Sequence, residues 1–334
     1  MWEGEHLRFG TDAQTNLCAG TLPHLDGVAG YLAQRFERPD ERIDYYWLPD
    51  GVDEYCNDGS LGCVPDERGA FSTFAIHRHE LAHAIRWPER LARPLEEGLA
   101  EVYGDDWAPM APLGTDIGAL LQQGSGEGGV LPAIAYPLAG HFVSYVRAVH
   151  GQDGLMALDR ASGHADSLSR TEDVYREVLG VELQDDITRY EANYPRCDQR
   201  SFRDNAFECD RNVVSAPRVT EEALDLGISL SCDDPSVLGP RLGERWTTVT
   251  LDVEEPGLYH VFAGRADGGA RRSIRFRACD VSCFEAGEIP AFESPLFSGR
   301  MCLEARRYSF RFVMDSDDSG DYRLIVTHTG ELCA

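Results

Sequence analysis

The sequence contains no lysine: all 31 basic residues are arginine. That excludes Schiff-base chemistry on a lysine amine and a phosphate-binding loop ending in Gly-Lys. No Cys-x2-Cys knuckle occurs, the nearest spacing being Cys279-x3-Cys283, which argues against a zinc ribbon. Long apolar runs are missing too. Stretches such as Ala133–Ala139 fall far short of the roughly 20 residues that span a bilayer, so no integral membrane segment is predicted. The opening residues, Met1-Trp2-Glu3-Gly4-Glu5, lack the basic region and apolar stretch of an export signal. Positive charge is scarce, with 31 basic against 57 acidic side chains and a net charge of −26. That balance opposes phosphate backbones and excludes general nucleic-acid binding.

What is present is globular material. The chain has 334 residues, 43% hydrophobic and 26% charged, a length that suggests two domains. It carries ten cysteines: Cys18, Cys56, Cys63, Cys197, Cys209, Cys232, Cys279, Cys283, Cys302 and Cys333. An even, high count in loop-like contexts reads as disulfides in an oxidising compartment. Three lie before residue 64 and seven after residue 196, so complete pairing requires an odd number of bridges across the gap. The expected crossing joins Cys18 to Cys197 or Cys209, and Cys56 and Cys63 are placed to close the short NDGSLG turn. Disulfides without an export signal suggest the mature form of an exported protein, secreted or in the cell envelope.

Apolar spacing predicts a helix over 24–37, an aromatic-rich strand over 42–48 and helices over 72–86 and from Pro94 to Tyr103. Ser72 or Thr73 would cap the third of these elements. Further helices are expected over 133–149, before Gly151, and at 170–180 and 184–192. Beyond residue 195 the period changes from 3.6 to 2. Trp246–Val253, Leu258–Ala263, Ser273–Ala278, Arg307–Met314 and Tyr322–Thr327 read as strands separated by turn clusters. The expected class is α+β. A mostly helical domain with a small sheet occupies 1–195, a Cys-bearing junction 196–216, and an all-β sandwich 217–334.

The residues that carry chemistry are His79-Glu80-Leu81-Ala82-His83. On a helix, positions i and i+4 share a face, so both imidazoles can hold one metal ion, and Glu80 can reach a water at that ion. Positions 86 and 89 are Arg and Glu, which removes the pattern in which a third His follows six residues after the second. The better third ligand is Glu97, in Glu97-Gly98-Leu99-Ala100-Glu101, on a helix that Pro94 opens; Glu89 and Glu96 are competing donors. Gly98 would let the two helices approach closely. Glu101, four residues after Glu97, can accept a hydrogen bond from a ligand His and fix its tautomer.

HELAH followed by EGLAE resembles the gluzincin superfamily of zinc peptidases, in particular the peptidase MA-like group. The resemblance covers roughly residues 42–195, and the zinc motifs are its specific part. It implies Zn2+ held by His79, His83 and Glu97, with Glu101 behind them and Glu80 as general base. It implies hydrolysis of a peptide or protein substrate, which would add as an extra strand along the 42–48 segment as an edge. Tyr136, opening an aromatic-rich helix that is similar to the family's next element, is the candidate donor to the developing oxyanion. Thirteen residues separate His83 from Glu97, fewer than in well-known members. The C-terminal segment ending Gly320-Asp-Tyr-Arg-Leu-Ile-Val is similar to pre-peptidase C-terminal domains of secreted bacterial proteases, modules that bind a surface or substrate.

Blander readings stand beside these. His77 lies on another face and reads as a surface or supporting residue, while His141 on the Tyr136 helix could face the site. Asp315-Ser-Asp317-Asp318-Ser319-Gly320 matches the first half of a Ca2+ loop, but its twelfth position is Val326, so a solvated hairpin turn is the simpler expectation. Two rivals accompany the peptidase: a catalytically inactive, zinc-stabilised binding or scaffold protein, and an extracellular interaction protein held only by disulfides.

Overall fold

The computed structural model describes the chain except residues 15, 39–41, 58, 67–68, 89–90, 105–115, 125–130, 133–134, 164–166, 194–202, 266–272, 280–291, 319 and 334. Cys197, Cys283, Glu89 and Ser319, weighed above, therefore lie outside the described residues. The protein is α+β, and it divides into two compact units. The first comprises Met1–Ala13 and Asp26–Asp204; the second comprises Gln14–Leu25, Asn205–Val281 and Ile289–Ala334. The division at Asp204 falls inside the expected junction 196–216, and a short N-terminal segment joins the second unit.

The first unit holds a five-stranded sheet: β1 (Trp2–Glu3), β2 (Leu7–Thr11), β3 (Ile43–Trp47), β4 (Gly62–Cys63) and β5 (Ala70–Ser72), in the order β1-β2-β3-β5-β4. β3 runs parallel to both β2 and β5. It is an interior strand, not the expected edge: its apolar alternation buries Ile43, Tyr45 and Trp47 on one face, and both neighbours take its backbone groups. The edges are the short antiparallel strands β1 and β4. Helix α1 (Thr21–Arg35) carries Val28 and Leu32, buried at helical spacing.

The motif helix is shorter than its pattern suggested. It is α2, Arg78–Arg86, and residues 70–72 are strand. Phe71 and Ser72 pair with Tyr46 and Trp47, so Ser72, expected at the start of the helix, lies in the sheet. Ser72 does not cap the helix; its hydroxyl accepts from the Phe74 amide at 3.0 Å and meets His77 Nδ1 at 2.8 Å. His77 is the residue before the first helical turn. Helix α3 (Arg93–Tyr103) begins with Pro94 in its first turn and stops at Gly104. α4 (Ile117–Gly124), α5 (Tyr136–Ser162, broken at Gly151 with φ 76°), α6 (Leu168–Leu179) and α7 (Leu183–Asn193) complete the unit. Gly98 does serve close approach, but to α5: a Cβ there would lie 2.6 Å from the Ala139 carbonyl oxygen and from Val143 Cγ2.

The second unit opens with α8 (Ala206–Cys209), followed by β6 (Val213–Ser215), β7 (Leu224–Ser229), β8 (Leu238–Arg241), β9 (Glu244–Asp252), β10 (Gly257–Arg265), β11 (Ile274–Ala278), β12 (Phe292–Ser294), β13 (Phe297–Leu303), β14 (Arg307–Asp315) and β15 (Asp321–His328). The five strands read from the period-2 pattern are all present, within two residues at each end. One sheet has the order β13-β10-β15-β7, the other β12-β11-β14-β9-β6 with β8 also on β9. Buried residues of both sheets, among them Leu251, Val261, Phe276, Phe310 and Leu324, form one hydrophobic cluster. At the β14–β15 turn the Asp318 carboxylate pairs with Arg265 at 2.7 Å, and Val326 is buried in β15.

Four disulfides join described cysteines: Cys18–Cys232, Cys56–Cys63, Cys209–Cys279 and Cys302–Cys333. The expected small loop at Cys56–Cys63 is formed. Cys18 crosses the gap, but to Cys232; Cys209 pairs with Cys279 instead. Parity demanded a crossing bridge and could not choose its partner. Among the described residues no helix is long and apolar enough to cross a membrane.

Candidate metal centre

α2 and α3 pack against one another, and each presents its motif residues to the other. His79 and His83 are one turn apart on α2. Their Nε2 atoms stand 3.2 Å apart, and Glu97 Oε2 on α3 lies 3.1 Å from the first and 3.2 Å from the second. These donors form a nearly equilateral triangle. A four-coordinate ion with N and O ligands at about 2.0–2.1 Å needs neighbouring donors about 3.3 Å apart, so the triangle matches one face of such a tetrahedron. Among the described residues no fourth His, Cys, Asp or Glu joins the group. Two imidazoles and a carboxylate can therefore hold a metal ion and leave one position open.

Each imidazole is fixed from behind. His79 Nδ1 faces Glu101 Oε1 at 3.3 Å, as the i, i+4 spacing of Glu97 and Glu101 suggested. His83 Nδ1 faces Glu96 Oε1 at 3.1 Å. Glu96, weighed from sequence as a rival ligand, is thus a supporting group. Both carboxylates are in turn held by guanidiniums. Arg203 reaches Glu101 Oε2 at 2.5 Å, and Arg86, fully buried, bridges Glu96 at 2.7 Å and Asp159 at 2.6 Å. Arg93, one turn before Glu97, lies 3.5 Å from Glu97 Oε1, and its charge also acts on the Tyr136 phenol.

The electrostatics follow from this crowding. Five carboxylates (Glu80, Glu96, Glu97, Glu101 and Asp159) face three guanidiniums (Arg86, Arg93 and Arg203), two negative charges in excess. A divalent cation, or two imidazolium ions, would balance them. Burial alone would push Glu96 and Glu101 up, but Arg86 with His83, and Arg203 with His79, hold each carboxyl down at about 2. Glu97 is likewise held well below its ordinary value against burial by His83 and His79. Burial acts to lower both imidazoles; Glu97 with Glu96 drives His83 up to about 9, and Glu101 with Glu97 drives His79 up.

Glu80 is buried on α2 beside the triangle. Burial raises its carboxyl, with His79 and His83 opposing. Edge strand β4 passes close by, and a Cβ on Gly62 would come within 2.7 Å of Glu80 Cγ. Tyr136, the first residue of α5, has its ring centroid 5.8 Å from that of His79. Burial, reinforced by the Glu97 charge, pushes its phenol up to about 12, so it keeps its proton at neutral pH. His77 Nε2 is 4.0 Å from Glu80 Oε1, a neighbour of the site and not one of the ligand atoms. His141 does not face the site: it is fully buried against the Tyr190 hydroxyl, 3.0 Å from Nδ1, and burial pushes it down to about 3.

Sequence reasoning missed the arginines. Arg86 was within reach, since it lies three residues after His83 on the same helix face. Asp159 and Arg203 carried no local signal, because each arrives from a distant part of the chain.

No family model and no curated protein sequence matches the chain. Among solved structures the chain is similar to Legionella pneumophila aminopeptidase A in complex with aspartic acid, with TM-score 0.32 and 10% identity over 94% of this chain and 34% of that chain. It is similar also to a family GH115 4-O-methyl-α-glucuronidase, BtGH115A, with specificity for decorated arabinogalactans, with TM-score 0.16 and 11% identity over 75% of this chain and 38% of that chain. The chain spans about a third of the length of each. Neither likeness defines a shared fold.

Proposed function

We propose that the protein is an exported zinc-dependent peptidase of the gluzincin type. One observation carries the reading: two imidazoles and one carboxylate converge at tetrahedral spacing, with the buried Glu80 next to the first imidazole. The N2O donor set suits zinc. The ion, when bound, supplies Lewis-acid polarisation of water and of the substrate carbonyl. Glu80, destabilised as an anion by burial, takes the proton of the attacking water and returns it to the leaving amine. Tyr136 donates its phenolic hydrogen bond to the carbonyl oxygen as negative charge grows there. The edge available for an added substrate strand is β4, beside Glu80. The second unit, read as a β-sandwich, serves surface or substrate binding. Four disulfides favour an extracytoplasmic, secreted or envelope location.

The test is metal content by mass spectrometry on protein purified without chelators, followed by a peptide-library digest. One zinc per chain and cleavage are expected. Glu80→Gln should keep the zinc and lower kcat/KM by about 10²–10⁴. Zinc with no cleavage of any peptide would favour the inactive scaffold, and no zinc would overturn the reading.

A further inference from the structure

Arg203 and Asp204, which end the Asp26–Asp204 segment of the first unit, reach back onto the C-terminal turn of α3. Arg203 is buried. Its guanidinium donates from Nη2 to Glu101 Oε2 at 2.5 Å and from Nε to the Glu101 carbonyl at 3.2 Å. One residue on, the Asp204 amide donates to the Val102 carbonyl at 2.7 Å. A helix end leaves its final carbonyls without intrahelical partners, and this segment satisfies two of them. The segment is itself anchored: the Asp204 carboxylate accepts from the Tyr31 hydroxyl at 2.6 Å and from the Arg147 guanidinium at 3.0 Å. Three helices, α1, α3 and α5, therefore hold these two residues.

Glu101 sits between Arg203 and His79. One carboxylate oxygen receives the guanidinium and the other faces His79 Nδ1. A buried carboxylate with no cation would rotate or take up a proton, and would then stop accepting from the imidazole. The guanidinium keeps the carboxylate charged and, by bonding one of its oxygens and the Glu101 carbonyl together, ties the side chain to its own backbone.

We propose that Arg203–Asp204 is a clasp that completes the metal centre from outside the helix pair, with Arg203 the positioning residue that orients His79 through Glu101. The proposal rests on reading the centre as a zinc site. It follows that the metal-binding unit extends to Asp204, beyond the HELAH and EGLAE motifs and into the 196–216 junction.

The experiment is zinc affinity of the full-length protein by competition with a chromophoric chelator. Arg203→Met is expected to weaken zinc binding about 10–100-fold, and Glu101→Gln similarly. Because both act on one imidazole, the double variant should bind within about threefold of Glu101→Gln alone, whereas independent structural damage would multiply. Wild-type affinity in Arg203→Met, or multiplied losses in the double variant, overturns the clasp while leaving the zinc site standing. Absence of zinc from the wild-type protein removes the zinc reading itself. Should Arg203→Met fail to fold, Arg203→Lys is measured instead. Weaker binding with an unchanged circular-dichroism spectrum then supports the clasp, and wild-type affinity overturns it.

Discussion

At the residue scale, the centre is a balance of buried charge. His79 and His83 are both raised by the carboxylates around them, His83 to about 9, so at neutral pH without a metal they carry protons. A metal needs neutral imidazole, so binding must expel those protons. The sign is definite: metal affinity should rise with pH up to at least about 9, where His83 loses its proton without a metal. Titration calorimetry at pH 7 in buffers of different ionisation enthalpy should show between about one and two protons released per ion. Proton-independent binding would mean that the imidazoles are not the ligands.

At the scale of elements, the two motif helices are set by what packs behind them. α3 lies against α5, and Gly98 is the contact point, with the Ala139 carbonyl oxygen 2.6 Å from where a Cβ would sit. That neighbour is backbone and cannot swing aside. Gly98→Ala should push α3 from α5 and cost about 1–3 kcal/mol, against the stabilisation that Gly→Ala gives in an open helix. Chemical denaturation of the two proteins checks this. Because Glu97 is the adjacent residue, zinc affinity should fall in the same variant; unchanged stability would show that α3 tolerates the shift.

At the scale of the whole molecule, the disulfides tie distant sequence together. Cys18 and Cys232, 214 residues apart, both belong to the second unit. The N-terminal segment is further held there by Thr21, whose hydroxyl donates to the Gly239 carbonyl at 2.9 Å. Closing so long a loop removes much unfolded-state freedom. Replacing both cysteines with serine should lower the unfolding free energy by about 2–5 kcal/mol, read by denaturant titration. The zinc site lies in the first unit and should keep its affinity in that variant.

The sequence by itself determined the elements whose signal is local. The i, i+4 histidines, Glu97 and Glu101 one turn apart, the start of α3 at Pro94, the break at Gly151 and five period-2 strands were legible because each depends on neighbours within a turn or a strand. The small Cys56–Cys63 loop was legible for the same reason. Only the tertiary structure decided what depends on contacts between distant segments. It placed β3 inside its sheet, put Ser72 in a strand instead of the helix, gave Cys18 to Cys232 and sent His141 to Tyr190. It also brought Arg86, Asp159 and Arg203 behind the metal ligands. Sheet order, disulfide partner and buried ion pair are all choices among chemically equivalent candidates, and burial of one particular set of surfaces is what selects among them.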